Sequence, residues 1–593
     1  MSFFKKLGSI ILSFTLITSM VGSMPTIVKA TTIDFSNAIT LNLNSTYEVN
    51  IESPNEYQYF KYTPTSTGFY TFESLNLNSG DPLCLMYSNQ NNYITEHDDI
   101  DANSNFQLTY HLVTGQTYYY KARCFGQGIG KYDVRIRAAS DVSYLGMNHL
   151  ITENSYYITN DVETQATYLY FIPNVTTEYL FYSNDSIGDP RFWIYDSNLN
   201  LVGTNDDDGG NHNFKLTPTL TADQTYYLVN GHYGSNSGDY TLCSGIAVDI
   251  PTNSYYIKNI GTGLNVDIHG PAAQEYVHQW SFHISDQEDW IIQKTNDDYY
   301  TIKSQYGNKK YIGISSTAIG EDNIKLYDNV TNDTKWKIYT TSNGNLFFIP
   351  KNANGKVLYA PDNIMGTELQ LLWISSSVDE RNEWIFEVKS STPIEGQRMS
   401  KWCWATSARM MTKHYETVSD LRTQNLAVSA VKGNIVNDGG NLTDAIEAVG
   451  YYHAENINNN YYNLIGYNSS ILSESDTRRF IDDGHVIYIA RAEYINSLRY
   501  NGHATLIIGY TTKFVNGEMI YRYIVNDPWP ASVPNPWSLP LLTNGQIEKL
   551  SYDWICNGHH AQVGEQQDDR IWDRYVVVNT NYSGNTMTPV FDD

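Results

Sequence analysis

The spacing of apolar and polar positions along this chain changes near residue 400. Before that point short runs alternate, as in "YYYKARC" (118–124) and "YTLCSGI" (240–246), and clusters of Gly, Asn and Asp interrupt them. A period of two with frequent turn residues predicts antiparallel strands packed as sandwiches. After it, Trp404, Ala408, Met411 and Tyr415 fall at i, i+4, i+7 and i+11, one apolar stripe of an α-helix. A third pattern opens the chain: "MSFFKK" is basic, "LGSIILSFTLITSMVGSM" is apolar, and Val28-Lys29-Ala30 offers small residues for cleavage. That order predicts a secretory leader over 1–30 and an extracellular product starting near Thr31. No later stretch approaches about 18 uninterrupted apolar residues, so no membrane span is expected after cleavage.

The strand-rich part is organised by repeats. The stretch from Ser79, "SGDPLCLMYSNQNNYITEHDDIDANSNFQLTYHLVTGQTYYY", aligns without a gap on the stretch from Ile187 at a constant offset of 108 residues. Asp81 falls on Asp189, Tyr87 on Tyr195, Asp98 on Asp206, Phe106 on Phe214 and Tyr118 on Tyr226. The two copies resemble the pre-peptidase C-terminal family, β-sandwich modules attached to secreted bacterial peptidases, and the sandwiches are expected over 31–140 and 141–248. Their acidic clusters, Asp98, Asp99 and Asp101 in one and Asp206, Asp207 and Asp208 in the other, read first as solvated turns and second as calcium sites.

A shorter period follows. Gly263, Gly307 and Gly355 recur after "YYIKNIGTG", "YTIKSQYG" and "FFIPKNANG", and Trp290, Trp336 and Trp384 close the units. Units this small cannot bury an apolar face alone, so three must share one core. The pattern resembles a ricin-type β-trefoil lectin over 249–390, which implies carbohydrate as a possible partner. The family ends each repeat in Gln-x-Trp. Here the glutamine is replaced in all three tripeptides, by Glu288, Thr334 and Asn382, so the tryptophans are expected in the core and sugar binding stays open.

Composition and charge narrow the function. With 593 residues and 41% hydrophobic content the chain is long enough for several ordinary cores. A formal charge of −26, falling to −29 when Lys5, Lys6 and Lys29 leave with an acid-free leader, argues against nucleic acid as a partner. Five cysteines (84, 124, 243, 403 and 556) are too few for a disulfide framework, and an odd number leaves one over. Cys84 and Cys124 lie in one expected domain and their pairing is left open; Cys403 is the candidate free thiol.

Cys403 stands between two tryptophans at the head of the predicted helix, where unpaired N–H groups and the positive dipole end favour a thiolate. In "Q-x-x-x-x-x-C-W-A-x-S" (397–407), "D-G-G-N-L" (438–442), "H-A-T-L-I-I-G-Y" (503–510) and "N-D-P-W" (526–529) the segment 391–593 resembles the papain-like cysteine peptidases, in particular the C39-type subgroup with aspartate as third member. The resemblance implies a C-terminal α+β domain. Its nucleophile would be Cys403, its base His503, its orienting group Asp527 and its oxyanion donor Gln397, with Gly439 and Gly440 along the substrate backbone. Neighbouring strand residues face opposite ways, so Asn526 and Asp527 cannot both reach the ring. His453 and His485 are rivals for the base.

The expectation is a secreted cysteine endopeptidase acting on protein or peptide, made of two all-β sandwiches, a β-trefoil and a papain-like domain, with no cofactor or resident metal. The stretch "KSSTP" (389–393) is expected as a linker, leaving 391–593 able to do the chemistry alone. An inert adhesin, and an amidase or acyltransferase using the same triad on cell-wall peptides, are the alternatives.

Overall fold

Alternation explains the first two modules strand by strand. In Tyr118–Cys124 every second side chain is buried, as period-two patterning requires when one face meets a core. The computed structural model describes residues 33–592 apart from 89–91, 100–103, 143–144, 153, 269–275, 284, 320–322, 377–379, 416–417, 419–420, 454–463, 469, 530–545, 558–569 and 579–589. The leader and Asp101 thus lie outside the described residues. The chain divides into two compact units, 1–138 and 139–593.

The first unit packs one sheet, in the order Ile39–Thr40, Gln58–Tyr62, Tyr118–Cys124, Pro82–Tyr87 and Tyr93–His97, on a second made of Thr46–Ile51, Gly130–Ala138, Gly68–Ser79 and Gln107–Leu112. Aromatic rings fill the space between them, with Phe72 stacked on Tyr120 at 4.4 Å. Cys84 and Cys124 are both free thiols. They lie on adjacent strands but out of register, Cys84 opposite Ala122 and Cys124 opposite Pro82.

The second unit starts with the same arrangement. Asn148–Leu150, Thr167–Phe171, Tyr226–His232, Pro190–Tyr195 and Leu201–Asn205 form one sheet, and Ser155–Asn160, Gly238–Ile246, Thr177–Asn184 and Lys215–Leu216 the other. Asn205 shapes the acidic turn by accepting the N–H groups of Asp208 and Lys215, each at 3.0 Å.

Twelve described strands from Asn253–Asn259 to Trp384–Lys389 make the trefoil. The first and last pair with each other, Ile257 opposite Phe386, which closes the barrel. Trp290, Trp336 and Trp384 are fully buried, and each indole N–H donates to a backbone carbonyl, of Val266, Ile312 and Leu358 at 2.9, 3.0 and 3.1 Å. One hydrogen bond repeated three times is what lets these polar-tipped side chains sit in an apolar core. The sandwich before the trefoil is fused to it through a shared apolar cluster that includes Leu180, Tyr182, Tyr339 and Phe347. Gly210, at φ 84°, lies so close to the Trp373 ring that a Cβ there would stand 2.1 Å from a ring atom.

The C-terminal part is α+β. Helices Cys403–Tyr415, Gln424–Lys432 and Leu442–His453 share an apolar core with strands Ile487–Ile495, Leu498–Val515 and Glu518–Asp527. The expected linker differs from the observed chain path. Strand Trp384–Lys389 leaves the barrel and pairs with Leu498–Val515, matching Glu387, Val388 and Lys389 to Thr511, Tyr510 and Gly509. Ser390 then donates its N–H to Ile508 O at 2.9 Å. In return Phe514 is buried within the trefoil core. The reason is visible in "WIFEVKS": strand-forming residues run past the barrel, and unpaired strand edges seek a partner.

Candidate active site

The helix Cys403–Tyr415 begins at Cys403, so the thiol stands at the first helical position, above backbone N–H groups that have no partner within the helix. The flanking tryptophans hold a second segment against it. Trp402 Nε1 donates to Val436 O at 2.8 Å and Trp404 Nε1 to Asp438 O at 3.2 Å. These two bonds fix 436–438 beside the helix start and bring Gly440 against Trp404. Gly440 packs on the Trp404 ring so closely that a Cβ would meet it at 2.4 Å, whereas nothing lies within 4 Å of a Cβ on Gly439. Asn441 then starts the next helix: its Oδ1 accepts the N–H of Asp444 at 2.9 Å, and Asp444 Oδ2 takes the Asn441 N–H at 2.6 Å. That reciprocal cap is legible as N-x-x-D, a signal the reading of "DGGNL" passed over.

His503 lies on the histidine strand, Leu498–Val515, against the helix. Ser407 Oγ donates to Ala504 O at 3.0 Å and locks the two together. His503 Nε2 lies 2.7 Å from Asp527 Oδ1, and the same ring hydrogen-bonds the Cys403 thiol. With Nε2 on the carboxylate, Nδ1 is the nitrogen left for sulfur. Asp527 Oδ1 also accepts the Trp529 N–H at 2.7 Å, and the Trp529 ring meets His503 edge-on at 6.1 Å. Strand alternation turns Asn526 the other way, where its Nδ2 donates to Thr392 O at 3.1 Å. His485 is no rival: it contacts Tyr415 and Phe480, and Tyr415 ends the helix that Cys403 begins, roughly 18 Å away at 1.5 Å per residue. The side chain of His453 lies outside the described residues.

Gln397 is fully buried. Its N–H donates to Pro528 O at 2.9 Å, tying it to the Asp527 turn, and its side-chain Nε2 donates to Met399 O at 2.9 Å. An amide nitrogen carries two hydrogens. One is committed to Met399 O, and the second is not.

The electrostatics follow from these contacts. Burial alone would push the Cys403 thiol up, but the hydrogen bond and charge of His503, with the Ala504 N–H, hold it below the ordinary thiol value. Burial opposes charge on His503 as well, and there Asp527 and then Cys403 prevail, raising the imidazole to about 9. Asp527, against its burial, is held below the usual carboxylate range by His503, the Trp529 N–H and Arg491. The other cysteines go the opposite way: burial raises Cys84, Cys124, Cys243 and Cys556. Two ionisable groups near Asp527 were missed in sequence, the buried Arg491 and the half-buried Glu548. Arg491 is marked by following Ile487 and Ile489 on one strand face in "IYIARAEY"; its guanidinium lies 4.6 Å from the Trp554 ring.

The described residues include no helix long and apolar enough to cross a membrane. Comparison with known proteins gives two family matches. Residues 387–553 match the Peptidase_C39 like family, and residues 240–327 match the ricin-type beta-trefoil lectin domain-like family. No curated protein matches the chain. Among solved structures, the Macrolepiota procera ricin B-like lectin in complex with lactose is 17% identical, covering 23% of this chain and 96% of that one at a TM-score of 0.20. The Rhizoctonia solani agglutinin is 18% identical, covering 23% and 96% at a TM-score of 0.20. The pre-peptidase C-terminal domain of collagenase from Bacillus anthracis is 15% identical, covering 17% and 93% at a TM-score of 0.15.

Proposed function

Proceeding from a C39-like peptidase segment joined to a ricin-type lectin-like segment, we propose that the protein is a secreted cysteine endopeptidase that hydrolyses peptide bonds with Cys403, His503, Asp527 and Gln397. The observation that carries this reading is the bracketing of one imidazole between an acidified thiol and a buried carboxylate 2.7 Å away. A thiolate-imidazolium pair is nucleophilic near neutral pH. The Cys403 thiolate attacks the acyl carbon. The resulting oxyanion takes hydrogen bonds from the Gln397 side-chain amide and the Cys403 N–H, and His503 gives its proton to the leaving amine. Water, deprotonated by the same imidazole, then releases the acyl group. Asp527 keeps the ring in the tautomer and orientation that both steps use. Gly439 and Gly440 give peptide backbone a close approach to the thiol. Carbohydrate is the partner proposed for the trefoil.

The test is to map the bonds cut by the purified protein in a denatured proteome against its Cys403→Ala counterpart. New N-termini that depend on Cys403 are expected. Acyl groups passed to amines, with no free carboxyl ends, would make it an acyltransferase; binding without either product would make it an inert adhesin.

A further inference from the structure

Within the first trefoil repeat, three side chains converge that the peptidase reading does not use. Asp267 ends strand Asn265–Asp267, and Glu288 and His283 lie in the turn before Asp289–Lys294. One ligand atom from each lies within 4.8 Å of the others. Asp267 is 3% exposed and Glu288 not at all, so two carboxylates share a dry site around one imidazole.

Asp267 has one oxygen tied and the other free, while the second oxygen of Glu288 lies against the His283 ring, 3.1 Å from Nδ1. Asp267 Oδ1 is held by His278 Nε2 at 2.9 Å, and Glu288 Oε2 accepts the His283 N–H at 2.9 Å. Asp267 Oδ2 and Glu288 Oε1 are buried and accept no hydrogen bond, with the His283 imidazole beside both. His283 Nδ1 lies 3.2 Å from Ser281 O, which fits an N–H donated there, and Nε2 lies 3.0 Å from Ser285 Oγ and 3.7 Å from Asp267 Oδ2, so an ion at Nε2 would take the place of the Ser285 hydroxyl. Two donors on a tetrahedral ion with bonds of about 2.1 Å stand about 3.4 Å apart. Buried, unpartnered carboxylate oxygens are costly unless a cation meets them.

We propose that Asp267, His283 and Glu288 bind a divalent transition-metal ion of the zinc class. One nitrogen and two carboxylate oxygens suit such an ion, and the set is too short of oxygens for calcium. The outer contacts have the form that orients metal ligands: a backbone carbonyl on the far side of the ligating histidine, and an imidazole on the second oxygen of Asp267. His283 is 40% exposed at its side chain, so the fourth position opens to solvent. The ion would tie strand Asn265–Asp267 to the turn before Trp290.

The test uses the full chain carrying Cys403→Ser, which removes the thiol as a competing ligand. After EDTA treatment it is titrated with Zn2+ by calorimetry, and Co2+ is used for its absorption spectrum. One ion per chain is expected, with a tetrahedral Co2+ spectrum. Glu288→Gln and His283→Ala are each expected to abolish it, and His278→Ala to weaken it about 10- to 100-fold. Asp207→Asn, in the separate acidic turn of the second sandwich, is expected to leave it unchanged. Melting curves in EDTA check that the variants fold; His283→Ala, on the exposed side, serves if Glu288→Gln does not. No Zn2+ uptake, uptake unaltered by both ligand variants, or uptake of Ca2+ in place of Zn2+ would overturn the proposal.

Discussion

Asn526 donates its side-chain amide to the Thr392 carbonyl, 3.1 Å away and 134 residues earlier in the chain. The bond turns Asn526 out of the site while its neighbour Asp527 faces His503. The two residues therefore separate stability from chemistry. Asn526→Ala is expected to cost about 1–3 kcal/mol of stability by leaving a buried carbonyl unpaired, with kcat nearly unchanged in the folded fraction. Asp527→Ala is expected to lower kcat about 10²-fold, and Asp527→Asn less, because an amide can still accept the ring N–H. Kinetics and melting curves on the three variants check the ordering; a larger kcat loss for Asn526→Ala would make Asn526 the orienting residue.

The pH profile should carry the signature of the pair. Activity is expected to rise as Cys403 ionises, below the ordinary thiol value, and to fall as His503 loses its proton near pH 9. Asp527→Asn removes the charge that raises the imidazole, so its alkaline limb moves to lower pH. Stability has a matching sign. The raised His503 contributes fully below its unfolded value near 6.5 and loses that contribution as pH rises through about 9. The lowered Asp527 contributes above the usual carboxylate value and loses it only in stronger acid. The pH dependence of kcat/KM and of the melting temperature read the two effects separately.

Gln397→Ala is expected to lower kcat about 10²- to 10³-fold through the lost oxyanion donor. The thiol remains paired with His503, so alkylation of Cys403 by iodoacetamide is expected to keep its rate and pH dependence. Loss of both together would assign Gln397 to the fold instead.

Adjacent glycines should respond differently to one methyl group. Gly440→Ala must displace Trp404, next to the nucleophile, and is expected to reduce both stability and kcat. Gly439→Ala meets nothing in the free protein. It is expected to raise KM alone, because the methyl occupies the path proposed for substrate backbone. Steady-state kinetics with one peptide substrate distinguish the two.

Phe514→Ala tests the union of peptidase and trefoil. It opens the trefoil core from the peptidase side and is expected to cost about 3–5 kcal/mol, with calorimetry showing one shifted transition across both. Residues 391–593 expressed alone lack the strand that pairs with Glu387 to Lys389's partners, and are expected to aggregate or to unfold well below the full chain. An active, stable fragment would show that the shared strand is dispensable.

Local pattern made much of this legible. The 108-residue offset carries strand Pro82–Tyr87 onto Pro190–Tyr195 and Tyr118–Cys124 onto Tyr226–His232, because turn chemistry and alternation are written within a few residues. Helical spacing after Cys403 and alternation at Asn526–Asp527 gave the helix and the opposite facing of those two side chains for the same reason. The unread features are pairings across long sequence separations. Nothing in "WIFEVKS" names Leu498–Val515 as its partner, nothing near Phe514 points to a core formed 128 to 266 residues earlier, and Glu548 joins its neighbourhood only because Gln546–Leu550 pairs with Glu518–Asp527.

The strand that passes from barrel to peptidase also sets a reach. A catalytic head on a flexible tether sweeps a volume, and its rate depends on tether length. One bolted to its anchor by a continuous run of backbone hydrogen bonds and a buried phenylalanine has a single footprint. With the trefoil seated on a surface glycan, Cys403 would address peptide bonds at one distance and one angle from that sugar, so the spacing of glycans along the target would set which bonds are cut.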